Sequence, residues 1–213
     1  MNPALPLSAD LFRRQDETPD AEFYQHPRFV AHIDEAAIAA VTQLYREYFR
    51  PNSALLDLMS SWISHLPADV AYSRVVGLGM NAAELRANPR LNAHVVQDLN
   101  AQPRLPFQNQ EFDGAAICVS IDYLTQPVAV LRELARVLRP GAPLVITFSN
   151  RCFPSKAIAA WHALDDHGHL ALVQRFLEEA GGWQPIELLD RSPAPGRSDP
   201  LYAVVARVAW PLR

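Results

Sequence analysis

The chain has 213 residues, 49% of them hydrophobic and 20% charged, with a formal net charge of −4 at pH 7. That length and apolar content suffice for one substantial core, and a mildly acidic chain without a run of Lys or Arg offers no electrostatic footprint for a nucleic-acid backbone. Cys118 and Cys152 are too few for a disulfide framework, the first residues lack a basic stretch leading into an apolar one, and no apolar run reaches membrane-spanning length, so the expectation is a cytoplasmic protein that engages neither membrane nor nucleic acid and works on small molecules.

Residues 1–28 are rich in Pro, Asp, Gln and Arg without sustained periodicity and read as an irregular arm across the surface. In HIDEAAIAAVTQLYREYF, Ile33, Ala37, Val41, Leu44, Tyr45 and Tyr48 recur at spacings of three and four, which predicts a helix with one buried stripe, stopped by Pro51 and Asn52. From Ser53 the pattern alternates. Short apolar runs at 54–59, 74–79, 93–98, 112–120 and 143–149 read as strands, several of them apolar on both faces as buried parallel strands are. Between the last two, PVAVLRELARVLRPG places Val128, Leu131, Leu134, Ala135 and Leu138 on one helix face and closes at Pro140 and Gly141, a crossover that implies a parallel pair.

A long helical stretch from Ser155 to Ala180 follows, ending at Gly181 and Gly182. Two further strand-like runs, WQPIELLDRS and LYAVVARVAW, are separated only by PAPGRSDP, too short for a helix, so they predict an antiparallel hairpin at one edge of the sheet. The expected fold is α/β: a Rossmann-like sheet of seven strands, six parallel and the last antiparallel at an edge, flanked by helices, with the second strand beside the first. Residues 1–50 form an arm and cap helix, and residues 51–213 the sheet domain.

The stretches ALLDL, RVVGLGMN, QDLNAQPRLPFQNQEFDGAAICVSIDYL and AVLRELARVLRPGAPLVITFS resemble the class I S-adenosylmethionine-dependent methyltransferases of the small-molecule type often called type 11. The resemblance covers roughly residues 50–208, and LRELARVLRPG is its most specific part. It implies S-adenosylmethionine as cofactor, a small-molecule methyl acceptor, no metal, and an N-terminal cap over the substrate.

The family pattern after the first strand is acidic-x-Gly-x-Gly-x-Gly. Here Asp57 is kept, while Met59, Ser61 and Ile63 stand at the glycine positions, so the loop must follow another path: a Cβ in the left-handed region costs on the order of 1 kcal/mol. Ser60, Ser61 and nearby N–H groups at the start of a following helix are then expected to meet the methionine carboxylate. Asp57 also fits a helix N-cap. The family's ribose-binding acid falls at Gly79; the nearest groups able to pair with a diol are Asn81, the preferred one, and Glu84. Met80 stands where the family places an apolar residue on the adenine face. Asp98 and Leu99 match the pair that meets the adenine amino group.

Asp122 and Tyr123, in SIDY after the fourth strand, are the candidates for orienting substrate during transfer. Asn150, Arg151 and Lys156, after the fifth strand, and Arg28 and His32, in the arm, would suit an anionic acceptor or hold a base near it, although solvated loop charges explain the same residues equally well. Trp62 and His65 read as packing and loop residues, Cys118 as core, and Cys152, which follows the fifth strand and could face the site, as a buried inert thiol for want of a paired His. No metal-ligand spacing is present. Two other readings stand beside methyl transfer. A methyltransferase-like scaffold without catalysis is favoured by the missing glycines and missing ribose acid. An NAD site is suggested by GLGMNA, Gly77 to Ala82, which matches Gly-x-Gly-x-x-Ala with Asp98 about 20 residues on, but another strand precedes it. The sequence leaves oligomeric state and methyl acceptor open.

Overall fold

A computed structural model describes residues 7–210; the first six residues of the expected arm lie outside the described residues. Seven strands, β1 (Ala54–Leu58), β2 (Arg74–Gly79), β3 (Ala93–Val96), β4 (Gly114–Cys118), β5 (Pro143–Phe148), β6 (Trp183–Asp190) and β7 (Tyr202–Val208), form one sheet in the order β3-β2-β1-β4-β5-β7-β6. The pairs among β1 to β5 are parallel, and β7 runs antiparallel to both β5 and β6. The expected fold class holds, with one correction: β7 is antiparallel but sits inside the sheet, and β6 takes the edge. Burial explains this. β7 is apolar on both faces, with Ala203, Val204, Val205 and Ala206 all buried, whereas every residue of β6 after Trp183 is exposed or half-buried, as on an edge strand.

Helices cover both faces. α2 (Glu35–Tyr48) is capped by the Asp34 side chain, which accepts from Ala37 N–H, and it buries Ala37, Val41, Leu44 and Tyr45 against Leu55, Val75, Ala116, Val145 and Val205. The opposite face carries α4 (Pro127–Val137), with Val130, Leu131, Leu134 and Val137 buried, and α6 (Asp166–Ala180), with Val173, Phe176 and Leu177 buried. The long helix expected over 155–180 is two: α5 (Ala159–His162) ends before Asp165, whose side chain accepts from Gly168 N–H and starts α6 afresh. The arm has more order than its composition suggests, with a 3-10 turn at Ala9–Phe12 and a short helix α1 (Asp20–Phe23). No helix of the described residues is long and apolar enough to cross a membrane.

Two features of the fold place a site. Strand order reverses between β1 and β4, which pair with neighbours on opposite sides, and such a switch point opens a crevice at the strands' carboxyl ends. The arm is tied across that edge by a buried ionic knot. Lys156 is fully buried; its ammonium donates to the Thr18 carbonyl at 2.6 Å and lies 3.2 Å from Asp16 and 3.4 Å from Asp20. Asp20 also takes Arg14 at 2.7 Å and the Asn100 amide at 2.8 Å.

Candidate functional site

The loop leaving β1 differs from the expected strand-to-helix turn. Residues 59–73 contain no helix, so no helix N-terminus faces a ligand here, and Asp57 caps none. Met59 nonetheless keeps the backbone a glycine would have, with φ +57°. Ser60 N–H then donates to the Leu78 carbonyl at 2.8 Å, laying the loop against the end of β2. This contact explains Gly79: a Cβ there would sit 2.1 Å from the Ser60 carbonyl oxygen, so the position held by an acid in the family pattern must lack a side chain in this chain.

Asp57 is buried beneath that loop and accepts the hydroxyls of Ser60 and Ser64, both at 2.6 Å and both on Oδ2. Burial lifts its carboxyl to about 6, against the opposing pull of the two hydroxyls. Ser61 donates to Glu84 Oε2 at 2.7 Å. Glu84 Oε1 takes the backbone N–H of Arg28 at 2.7 Å. Asn81 is more fully committed: its oxygen caps α3 (Ala82–Ala87) through Ala83 and Glu84 N–H, and its amide nitrogen donates to the carbonyls of Tyr24 and Gln25. Asp98 Oδ1 accepts from Asn100 and Ala101 N–H, shaping the turn after β3.

These groups share one cavity of about 140 Å³ at the carboxyl edge. Its wall brings together all seven residues expected at the cofactor, Asp57, Ser60, Ser61, Met80, Asn81, Asp98 and Leu99, with Gly79 and Glu84 among them and the arm's Tyr24, Arg28 and His32 as its roof. A second, outer cavity of about 480 Å³ adjoins it. Ala31, His32, Val119, Tyr123 and Phe153 belong to both walls. Phe153 is the hub of that partition, 5.4 Å from the His32 ring and 5.9 Å from Tyr123, whose hydroxyl accepts the Phe153 N–H at 2.8 Å.

The residues expected at the acceptor divide. His32 and Tyr123 lie on the partition and Arg151 on the outer wall, where it pairs with Asp199 at 2.9 Å. Arg28 faces the inner cavity rather than the outer one. Lys156 faces neither, because its charge is spent on the arm. Asn150 is exposed outside both walls, and Asp122 is buried behind them with one carboxyl oxygen unpartnered, its pKa pushed by burial up to about 8. Apolar surroundings therefore keep Asp122 largely protonated at pH 7.

Sequence reasoning passed over His65. It adopts φ +51°, lines the inner cavity, and has a buried Nδ1 with no partner among the described residues. Burial holds its pKa down at about 4, and burial likewise lowers that of His32, so both present neutral rings. Only the positive φ marks His65, and no sequence signal encodes that for a histidine. Phe153 was equally illegible, since its role arises where arm, β4 and β5 loops meet.

The family described as Methyltransferase domain matches residues 59–146. Over those residues the chain is similar to the class I S-adenosylmethionine-dependent methyltransferase superfamily. Its similarity to a malonyl-[acyl-carrier protein] O-methyltransferase of Marinomonas sp. (strain MWYL1) is 24% identity over 177 residues, covering 72% of this chain and 63% of that protein. An O-methyltransferase of Pyrenophora dematioidea is 42% identical over 64 residues, covering 29% of this chain and 24% of the other. The chain thus spans less than two thirds of the length of these curated relatives. Among solved structures, geranyl diphosphate C-methyltransferase from Streptomyces coelicolor A3(2) shares the fold with a TM-score of 0.61 at 14% identity, covering 89% and 97% of the two chains. The [4+2]-cyclase SpnF shares it with a TM-score of 0.57 at 17% identity, covering 80% and 81%.

The methyltransferase-domain match supports S-adenosylmethionine as the cofactor. The donor set of the inner cavity fits that molecule. Asp57, Glu84 and Asp98 supply acceptors for an ammonium, hydroxyls and an amino group, Met80 and Leu99 supply apolar surface, and Arg28 supplies a guanidinium nitrogen with no partner among the described residues.

Proposed function

We propose that this chain is a methyltransferase that takes S-adenosylmethionine in the inner cavity and a small-molecule acceptor through the outer one. The observation that supports this reading best is the pair of adjoining cavities at the β1/β4 switch point, divided only by Val119, Tyr123, Phe153 and the arm's Ala31 and His32. The cofactor, when bound, supplies an electrophilic methyl group on sulfonium. Transfer then asks the protein for alignment, exclusion of water and removal of a proton from the acceptor.

Named residues serve these needs. Asp98 and Leu99 would hold the adenine edge, with Met80 on its face. Glu84, whose two oxygens retain acceptor capacity beyond Ser61 and Arg28 N–H, would take the ribose hydroxyls in place of Asn81, whose amide is spent on the arm. Asp57 would pair with the methionine ammonium. His32 and Tyr123, on the partition, would orient the acceptor. His32 is neutral, so it is able to accept a proton.

Calorimetric titration with S-adenosylmethionine, S-adenosylhomocysteine and NAD tests the reading. Binding of the first two and not the third is the expected result. Binding of none would favour the scaffold without catalysis, a reading that the committed Asn81 amide and the helix-free loop at 59–73 also support. Binding of NAD alone would favour the dinucleotide reading of Gly77–Ala82.

A further inference from the structure

The loop after β1 has little left to offer an anion. The Ser60 hydroxyl goes to Asp57, the Ser61 hydroxyl to Glu84, and Ser60 N–H to the Leu78 carbonyl. No helix begins there to present free N–H groups. Both serine hydroxyls that the sequence suggested for a carboxylate are therefore occupied, and the helix N-terminus is missing.

The charges on the inner wall are otherwise acidic: Asp20, Asp57, Glu84 and Asp98 face a single guanidinium, Arg28. Asp20 is already answered by Arg14 and Lys156. Arg28 is held differently. Its guanidinium lies 4.5 Å from the Phe23 ring centroid, 5.3 Å from Phe153 and 5.6 Å from Tyr24. Nη2 donates to the Phe23 carbonyl at 2.9 Å, while Nη1 is buried with no partner among the described residues. Aromatic faces stabilise the cation and exclude water from it, but they cannot accept an in-plane N–H hydrogen bond. A desolvated, unpaired donor on a cationic group is costly, and a carboxylate supplied by a ligand relieves that cost with a charge-assisted bond.

We infer that Arg28 is the anion seat of the inner cavity and that the carboxylate of the cofactor's methionine tail occupies it, the work that Ser60, Ser61 and a helix N-terminus do not do in this chain. The inference rests on the cofactor reading above and deepens it. Charge complementarity selects this occupant: the methionine tail presents one ammonium and one carboxylate, and the wall offers the carboxyl of Asp57 for the first and the guanidinium of Arg28 for the second. It also gives the arm a task in affinity, since Arg28 reaches the cavity only while its backbone N–H is bonded to Glu84 and the arm is knotted to Lys156.

The test compares S-adenosylhomocysteine with 5′-methylthioadenosine, which keeps the nucleoside and thioether but lacks the amino-acid tail. Calorimetry on the full chain and on Arg28→Met, whose apolar stem still packs between the rings, should show a loss of about 10- to 100-fold for S-adenosylhomocysteine and less than about twofold for methylthioadenosine. Arg28→Lys, which keeps the charge without the fork, should fall between. Equal losses for both ligands would mean that Arg28 merely holds the arm, and unchanged affinities would mean that it binds no cofactor carboxylate; either overturns the inference. So would unchanged affinities together with malonate binding to the S-adenosylhomocysteine complex that disappears in Arg28→Met, since the anion would then be the acceptor's. Failure of S-adenosylhomocysteine to bind the unaltered protein would instead remove the cofactor reading itself, and this inference with it.

Discussion

Ser64 donates its hydroxyl to Asp57 Oδ2 at 2.6 Å from seven residues further along the chain. Ser60 donates to the same oxygen, yet burial still outweighs both hydroxyls and lifts Asp57 from 3.8 to about 6. An acid whose folded pKa is raised contributes stability that is present below its unfolded pKa and is lost as pH rises through the folded value. Between about pH 4 and pH 7 Asp57 therefore costs the free protein on the order of 3 kcal/mol. Asp57→Asn keeps an oxygen acceptor for both serines and removes that dependence. Its melting temperature should match or trail the unaltered protein near pH 4 and exceed it at pH 8, while its affinity for S-adenosylhomocysteine falls about tenfold or more. Thermal melts at the two pH values and calorimetry at pH 8 check both halves. A variant that gained stability without losing affinity would free Asp57 from any ligand role.

Asp122 obeys the same sign with a larger displacement, to about 8, but touches neither cavity. Asp122→Asn should leave the affinities for S-adenosylhomocysteine and methylthioadenosine within about twofold and raise stability between pH 5 and pH 9. A large loss of affinity at unchanged stability would return this residue to the site.

Restoring the acid that the family pattern places at the end of β2 should fail. In Gly79→Asp the new Cβ would meet the Ser60 carbonyl oxygen at 2.1 Å, a backbone atom fixed on the loop leaving β1. A loss of at least about 1–3 kcal/mol is expected, with weaker rather than tighter cofactor binding. A urea unfolding curve with an unshifted midpoint would show that the loop moves freely and that Gly79 is no constraint.

Much of the architecture was legible because burial leaves its mark on composition. Leu55, Leu56 and Leu58 and Val75, Val76 and Leu78 put apolar side chains on both faces and became central strands, and the stripe from Ala37 to Tyr45 became the buried face of α2. The seven cofactor candidates converge because each ends or follows a parallel strand, where topology alone fixes a common edge. What stayed hidden depends on distance in sequence. Nothing in Lys156 announces that Thr18 and Asp16 lie 138 and 140 residues away, so a buried knot read as a solvent-facing loop charge. The committed hydroxyls of Ser60 and Ser61 were invisible for the same reason: serine at a strand end marks available donors, not where they are spent. Strain was partly legible, since residues at glycine positions promise either a new path or a positive φ, and Met59 shows the second.

That strain inverts an ordinary rule. Elsewhere Gly is less stabilising than Ala by about 0.5–1 kcal/mol, because it frees the unfolded chain. Met59 has φ +57° and packs partly against the core, so either truncation loses the same side-chain contacts, but only Gly relieves the left-handed backbone. Met59→Gly should therefore be the more stable of the two by several tenths of a kcal/mol to about 1 kcal/mol. Chemical denaturation of the pair decides the matter, and the usual order would mean that the loop does not hold this conformation in solution.

Asp98 has two oxygens with separable tasks. Oδ1 accepts from Asn100 N–H at 2.8 Å and Ala101 N–H at 3.2 Å, holding the turn after β3, and the turn in turn places the Asn100 amide on Asp20 and on the Tyr123 carbonyl. Asp98→Ala removes both the turn contact and any ligand contact, and a loss of about 1–3 kcal/mol in S-adenosylhomocysteine affinity is expected from it without saying which was responsible. Asp98→Asn separates them. Its oxygen still caps the turn, but an NH₂ group replaces the second acceptor, so an adenine amino group directed at that position would meet a donor instead. If Asp98 recognises adenine, the Asn variant should lose nearly as much affinity as the Ala variant while melting like the unaltered protein. If Asp98 only shapes the turn, the Asn variant should bind normally, and the adenine edge would have to be read by the backbone at Leu99.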